Sequence, residues 1–152
     1  MGIIMEIIVK VNGVEVVNLK NEMKEETEKI DVDKGVDSVS NYARWFDEAC
    51  IGWTKDPEFN LIYLKHQQAY ANDILRAKGY IFLNEIYKIL GISETKAGQV
   101  VGWIYNEKHP IGDNFVDFGL KDPRNAKFIN GEESTVLLDF NVDGNILDYI
   151  EG

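Results

Sequence analysis

The sequence predicts an α+β fold, in which two or three helices pack on a small antiparallel sheet beside an N-terminal β-hairpin. A long helical pattern runs between Asp56-Pro57 and Gly79, which are typical helix start and stop residues. Asn12-Gly13 separates two alternating apolar runs, as in a hairpin with a type I′ turn. Residues 96–119 are rich in glycine, β-branched and aromatic residues, which favours short strands joined by a shaped loop.

Length and composition limit the possible functions. The chain has 152 residues, the size of one domain, and 45% of them are hydrophobic, so a core can form without disulfides. The formal net charge is −10 and the basic residues form no cluster, so we expect no direct binding to nucleic acid. The single Cys50 favours a reducing compartment, since it cannot form an internal disulfide. We expect no membrane span, because Glu6 and Lys10 interrupt the short apolar run at the start.

We divide the chain into three parts. Residues 1–20 are predicted to form the N-terminal β-hairpin, which must pack on the rest of the chain or on a partner, since an isolated hairpin is only marginally stable. Residues 21–39 are dominated by acidic residues and lysines, and we interpret them as an acidic connector. Residues 40–152 are predicted to form the α+β main domain.

Three helices are predicted in the main domain. Ser40 can cap the first, which would extend to about Ala49. The second covers residues 57–78 and should be the central helix, because its apolar positions form two adjacent stripes and predict a broad buried face. The stripes are Phe59, Tyr63, Tyr70 and Ile74, and Leu61, Leu64, Ala71 and Leu75. The third helix covers residues 80–90 and ends at Gly91.

Three strands are predicted to follow, over residues 99–105, 114–120 and 135–142, because β-branched and aromatic residues are frequent there. A loop or helical turn marked by Asp122-Pro123 separates the last two. We interpret the aromatic residues near the start of the domain as core packing, since they recur at helical spacing. They are Tyr42, Trp45, Phe46, Trp53, Phe59 and Tyr63.

The loop between the first two of these strands, residues 106–114, is the candidate recognition surface. It is long for a hairpin connection and dense in polar groups, and functional residues favour shaped loops on rigid scaffolds. The residues that could converge on a ligand are Glu107, Lys108, His109, Asp113 and Asn114. The alternative is that Pro110, Gly112 and Asp113 only set the turn, which their residue types also explain.

The segment from Asp139 onward matches the first part of a calcium-binding loop. Asp139, Asn141, Asp143 and Asn145 would supply oxygen ligands around a turn at Gly144. The twelfth position, which should be a bidentate Glu, is Ile150, and the preceding residues indicate a strand where the motif needs a helix. The alternative is therefore a strand that ends in a tight turn.

No catalytic constellation is found. Asp117-Phe118-Gly119 spells the magnesium motif of kinases, but the rest of the kinase set is absent. No phosphate-binding loop, dinucleotide fingerprint or nucleophile elbow occurs. Cys50 and the two histidines lack short ligand spacings, which argues against zinc. We expect no enzyme activity and no cofactor; a small enzyme that uses His109, Asp113 or Asp117 is the remaining catalytic alternative.

Several stretches between Tyr42 and Asp148 carry a resemblance to a known group of proteins. They are YARWFDE, KDPEFNL, QQAYAND, GYIFLNEIYKILGI, TKAGQVVGWIY, PIGDNFVDFG and VLLDFNVDGNI. In these stretches the chain resembles the C-terminal region of an uncharacterised family of proteins from tailed phages and prophages of gut Firmicutes. The resemblance implies a phage-encoded protein, and it transfers no catalytic residues because that family has no established activity.

From these observations we expect a non-enzymatic binding or assembly protein, encoded by a phage or prophage. It would act through protein–protein contacts, with a protein partner or as a homo-oligomer, in the host cytoplasm or the virion. Two alternatives stay open. One is an acidic inhibitor of a host defence protein that binds nucleic acid, since acidic surfaces can imitate phosphate backbones. The other is a calcium-binding module at residues 139–145.

Overall fold

A computed structural model describes residues 40–150 of the chain, and it confirms the predicted α+β class. The hairpin predicted over residues 1–20 and the connector over residues 21–39 lie outside the described residues. The helices are α1 (Pro57–Lys78), α2 (Leu83–Leu90) and α3 (Ala126–Ile129). The strands are β1 (Arg44–Phe46), β2 (Tyr80–Phe82), β3 (Val101–Ile104), β4 (Val136–Leu138) and β5 (Gly144–Asn145). Short 3₁₀ turns cover Ala97–Gln99, Pro123–Asn125 and Leu147–Tyr149.

The described strands form two small antiparallel sheets. One pairs β1 with β4, so that Phe46 lies opposite Val136. The other has the order β2-β3-β5, and Gly102 of β3 lies between Phe82 and Gly144. A Cβ at Gly102 would overlap the Ile81 carbonyl, so the residue type is dictated by close backbone approach.

The prediction for the central helix is confirmed at both ends. The Asp56 side chain accepts hydrogen bonds from the N–H groups of Glu58 and Phe59, at 2.9 and 3.3 Å. Pro57 occupies the first turn, and Gly79 ends α1 in the left-handed conformation with φ of 89°. A capping side chain, a first-turn proline and a left-handed glycine are local signals that set the two ends of a helix.

The predicted broad buried face of α1 is wrong in part. Leu64, Ala71 and Leu75 are fully buried, as expected from one stripe. Phe59 and Tyr70 of the other stripe are about half exposed, because they lie on the opposite side of the helix. The buried face of α1 is therefore narrower than the apolar pattern predicts.

The helix predicted from Ser40 to about Ala49 is wrong. This segment contains the strand β1, which buries Phe46 and leaves the neighbouring Trp45 exposed. The aromatic positions fit a helical period, but so short a segment also fits the alternation of a strand. Pairing with β4 decides between the two, and β4 is remote in the sequence.

The helix predicted over residues 80–90 begins three residues later than expected. Tyr80–Phe82 forms β2, and the chain turns directly into α2 at Leu83. The Glu85 side chain accepts a hydrogen bond from the Phe82 N–H at 2.9 Å, which satisfies one of the free donors at the start of the helix. Gly91 ends α2 as predicted, in the left-handed conformation with φ of 74°.

The strand predicted over residues 114–120 is also wrong, although this segment is partly buried and extended beside α1. Side chains bind its N–H groups, while the carbonyls of Phe118 and Asp117 accept from the N–H groups of Asp139 and Asn141 at 3.0 and 3.3 Å. Asn72 accepts from the Val116 N–H at 2.7 Å and donates to the Val116 carbonyl at 3.0 Å, and Gln68 accepts from the Phe118 N–H at 2.8 Å. Polar side chains of α1 thus supply hydrogen bonds that a second neighbouring strand would otherwise make.

The core joins both sheets to α1 and α2. Trp103, Tyr87 and Phe46 are fully buried, and Phe140 packs edge-on against Tyr87 and Phe118 with ring centroids 5.8 and 5.4 Å apart. Edge-to-face packing is a favourable aromatic geometry and adds to the free energy of burial. This packing therefore fixes the positions of the two sheets, α1 and α2 relative to one another.

Candidate functional site

A depression of about 640 Å³, open to solvent, lies at one end of the β1–β4 sheet. We call it the Trp45–Trp53 depression. It is lined by Trp45, Asp47, Glu48, Trp53, Glu133, Ser134 and Thr135. The lining combines two indole rings with three carboxylates and two hydroxyl side chains.

The antiparallel pairing of β1 with β4 brings these residues together. Because Phe46 lies opposite Val136, the residues that follow β1 meet those that precede β4. Asp47 and Glu48 leave β1 at the same end of the sheet where Glu133, Ser134 and Thr135 enter β4. Two distant parts of the sequence thereby form one surface.

Trp53 is fixed in place by a partly buried hydrogen-bond network. Its indole N–H donates to the Ser134 carbonyl at 3.1 Å, and the Asn60 side chain donates to the same carbonyl at 3.0 Å. Asn60 is fully buried on α1, and its oxygen accepts from the N–H and hydroxyl of Thr54 at 2.9 and 3.0 Å. The wall formed by Trp53 and Ser134 is therefore ordered before any ligand arrives.

Trp45 presents a large apolar surface to solvent. It lies on the strand face opposite to the buried Phe46, and 55% of its surface is exposed. Trp is rarely this exposed in a folded domain, and it is among the residues that contribute most to protein interfaces. An exposed Trp beside a depression is therefore a candidate contact residue.

The carboxylates give the depression a negative potential. Partial burial raises the pKa of Asp47, the Ala49 N–H that donates to it at 3.0 Å opposes this change, and the neighbouring Glu48 charge adds to it. Glu48 and Glu133 are exposed. Among residues 40–150, none of the three forms an ion pair. Their charge is thus available to a group that approaches from solvent.

This arrangement is suited to binding. Indole faces attract cations through the ring quadrupole, and carboxylates at the rim attract positive charge from a distance. The two indoles also offer apolar area that a contacting side chain would remove from water.

The predicted recognition loop, residues 106–114, is closed by hydrogen bonds between its first and last residues. Asn114 accepts from the Asn106 N–H at 3.0 Å and donates to the Asn106 carbonyl at 3.1 Å. The Asn106 side chain accepts from the N–H groups of Lys108 and His109 at 3.1 and 3.0 Å. Asn114 itself adopts a positive φ of 63°. Much of its polar composition therefore shapes the turn, as the alternative interpretation states.

Of the five residues predicted in this loop, four are exposed and one is partly buried. Glu107, Lys108 and His109 lie at the tip, and Asp113 accepts a hydrogen bond from the Asn141 side chain at 3.0 Å. Asn114 closes the base of the loop. The structure does not bring these side chains around a common point through hydrogen bonds or ion pairs among the described residues.

Asp143 and Asn141, predicted as calcium ligands, instead anchor the loop. The Asp143 carboxylate accepts from the Ile104 N–H at 2.8 Å and lies directly against Gly112. Burial raises the pKa of Asp143, and the nearby Asp113 charge raises it further. The Asn141 oxygen accepts from the Trp103 indole at 2.8 Å and from the Asp117 N–H at 2.7 Å.

The other two predicted ligands also have partners within the protein. Asp139 forms an ion pair with Arg124 at 3.0 Å, and the Asn145 side chain accepts from the Leu147 N–H at 3.0 Å. Gly144–Asn145 forms β5 where a calcium motif needs a loop. These contacts count against calcium binding at residues 139–145, which stays a prediction.

Three further observations concern the part of the chain that the structure covers. Among residues 40–150, no group of three His, Cys, Asp or Glu side chains is placed to hold a metal ion. No helix in this part is long and apolar enough to cross a membrane. Burial raises the pKa of Cys50 to about 11, so the thiol stays protonated at neutral pH.

Sequence reasoning missed the Trp45–Trp53 depression. The aromatic cluster was predicted to be core, but only Phe46 is fully buried, while Tyr42, Trp53 and Tyr63 are partly buried. Phe59 is half exposed, as is Trp45. The signal that could have found the site is the pair of acids directly after Trp45-Phe46, on a segment that can alternate as a strand.

We compared the chain with known protein families, curated proteins and solved structures. A family profile with the description "Family of unknown function (DUF6353)" matches residues 10–150. The chain belongs to this family. No curated protein and no solved structure matches the chain.

Proposed function

We propose that this chain is a non-enzymatic binding or assembly protein that acts through protein–protein contacts at the Trp45–Trp53 depression. The observation that carries the proposal is the exposure of Trp45 beside a depression in which Trp53 and Ser134 are fixed by partly buried hydrogen bonds. Preorganised surfaces with exposed aromatic anchors bind partners with less loss of conformational entropy.

The proposal includes an origin and a location. We propose a phage or prophage protein that works in the host cytoplasm or the virion, with a protein partner or a second copy of itself. The support for this part is the resemblance of the stretches quoted above, such as YARWFDE, to the phage family.

Affinity capture with matched variants tests the function. Wild type, Trp45→Ala and Tyr149→Ala are used as baits in an extract of the host cell, and the captured proteins are quantified by mass spectrometry. Tyr149 is the control because it is an aromatic residue of similar exposure, 52% against 55% for Trp45. We expect a protein that wild type and Tyr149→Ala retain and Trp45→Ala loses. A capture profile that Trp45→Ala leaves unchanged would contradict the proposal.

A second candidate, the acidic inhibitor of a nucleic-acid-binding defence protein, is favoured by one observation. The carboxylates of Asp47, Glu48 and Glu133 gather at one depression in a chain of net charge −10. This candidate predicts that the captured partner binds nucleic acid and that the chain displaces it. A partner whose binding to nucleic acid is unaffected by the chain would end this alternative.

A further inference from the structure

We infer that the Trp45–Trp53 depression receives a lysine or arginine side chain of the partner protein. The inference rests on the proposed function and adds the chemistry of the group that is recognised. It is argued from the charge of the depression, the geometry of its walls and the lack of an ion pair to its carboxylates within residues 40–150.

Charge complementarity selects a basic group. Three of the seven lining residues are acidic, and none of the lining residues is basic. The cationic side chains that form ion pairs within residues 40–150 are Arg76, Lys78 and Arg124, and their partners lie elsewhere. An acidic side chain of a partner would be repelled, and a neutral one would leave the three carboxylates without an opposite charge.

The indoles select a side chain with both an apolar stem and a charged end. A guanidinium or ammonium group is attracted to the face of Trp, the strongest of the aromatic residues in this respect. The methylene groups of Lys and Arg can lie along the exposed Trp45 ring while the charged end approaches Asp47, Glu48 or Glu133. A simple inorganic cation has no apolar stem that could cover the indole rings.

Hydrogen bonds within the protein determine which groups of Trp53 and Asp47 a ligand can contact. Its indole N–H is already donated to the Ser134 carbonyl at 3.1 Å, so the ring presents its faces and edges to a ligand and not its polar group. The Asp47 carboxylate is partly occupied by the Ala49 N–H at 3.0 Å and is held in position by it. Glu48 and Glu133 are exposed and free to adjust.

The three tryptophans of the chain provide a direct readout, because each has one indole N–H signal in a nuclear magnetic resonance spectrum. Trp45 and Trp53 line the depression, whereas Trp103 is fully buried and donates to Asn141 at 2.8 Å. Trp103 is therefore an internal control. The full chain is titrated with N-acetyl-arginine amide and N-acetyl-lysine amide, and with N-acetyl-glutamine amide as the neutral match.

The expected result is a saturable shift of the Trp45 and Trp53 signals with the two cationic probes, and not with the neutral one. Trp45→Ala should weaken binding by about 2- to 30-fold, the range of a lost cation–π contact. Glu48→Gln and Glu133→Gln should each weaken it by about two- to fivefold, and added salt should weaken it further. Glu94→Gln, an exposed acid that does not line the depression, should bind as wild type does.

Three results would overturn the inference. They are equal shifts with the neutral probe, unchanged binding in both Glu48→Gln and Glu133→Gln, and movement of the two indole signals with protein concentration alone, which would assign the depression to a second copy of the chain. If the capture experiment still depends on Trp45 while the cationic probes do not bind, the proposed function stands and this inference falls.

Discussion

Side-chain amides hold the irregular parts of this domain together at the scale of single residues. Asn125 is buried and accepts from the Leu137 N–H at 2.9 Å while it donates to the Leu137 carbonyl at 2.8 Å. Asn72 makes the same pair of contacts with Val116. An amide can imitate a neighbouring strand because it carries one acceptor and two donors. In the sequence these residues look like ordinary surface positions, so their role could not be predicted.

Asn60 gives the first prediction at this scale. Asn60→Ala removes the partner of the Thr54 N–H and carbonyl and one partner of the Ser134 carbonyl in a partly buried region. We expect the free energy of unfolding to fall by about 1–3 kcal/mol, since buried polar groups would lose their hydrogen bonds. Denaturant unfolding measures the change, with Asn130→Ala at the exposed end of α3 as control. A loss no larger than that of the control would contradict this role.

The second prediction concerns the contact between Gly112 and Asp143. A Cβ at Gly112 would overlap the Asp143 carboxylate and move it away from the Ile104 N–H. We expect Gly112→Ala to destabilise the fold by about 1–3 kcal/mol through the lost hydrogen bond. In an Asp143→Ala background the same change should cost much less, because the overlap is gone. Additive losses in the double-mutant cycle would show that the two residues are not coupled.

The raised pKa of Asp143 gives a prediction for pH. The folded state holds the Asp143 proton more firmly than the unfolded state, so this carboxyl favours folding below its ordinary pKa of 3.8, and that contribution is lost as pH rises through the raised value. Asp143→Asn removes the titration and keeps an acceptor for Ile104. Measured by denaturation at several pH values, the stability of wild type relative to Asp143→Asn should increase as pH falls through this window. A constant difference would argue against the burial of the charge.

Among helices and strands, the sequence predicts correctly those elements whose signals lie close together in the chain. Both ends of α1 were predicted correctly because Asp56, Pro57 and Gly79 act on their immediate neighbours. β1 was predicted to be a helix because its partner β4 lies far along the chain, and only that pairing distinguishes the two. The strand predicted over residues 114–120 was wrong for a related reason, since polar side chains of α1 make hydrogen bonds that a regular strand would make to a second neighbour.

The β2–β3 pairing gives the prediction for this scale. Gly102→Ala would place a Cβ against the Ile81 carbonyl, so the two strands would have to separate. We expect a loss of about 1–3 kcal/mol or more in the free energy of unfolding, as for overpacking. Gly131→Ala is the matched control, because Gly131 has a positive φ of 82° and no atom near its Cβ position. The loss in Gly131→Ala reports the cost of a left-handed conformation alone, so a loss in Gly102→Ala that is no larger would contradict the role of strand spacing at Gly102.

At the scale of the whole molecule, the α+β class could be predicted and the candidate site could not. Composition and periodicity report how much of each element a chain can form. The Trp45–Trp53 depression depends on contacts such as that between Trp53 and Ser134, which are 81 positions apart. The predicted loop over residues 106–114 was found from its composition, but that composition is largely explained by hydrogen bonds that close the turn.

The most direct test of the proposed binding function is the affinity of the captured partner for wild type and for Trp45→Ala, measured by titration calorimetry. We expect Trp45→Ala to bind about tenfold more weakly or worse, as for loss of an aromatic anchor. Its free energy of unfolding should change by less than about 1 kcal/mol, since 55% of the Trp45 surface is already exposed. Equal affinity of the two proteins for the partner would contradict the account.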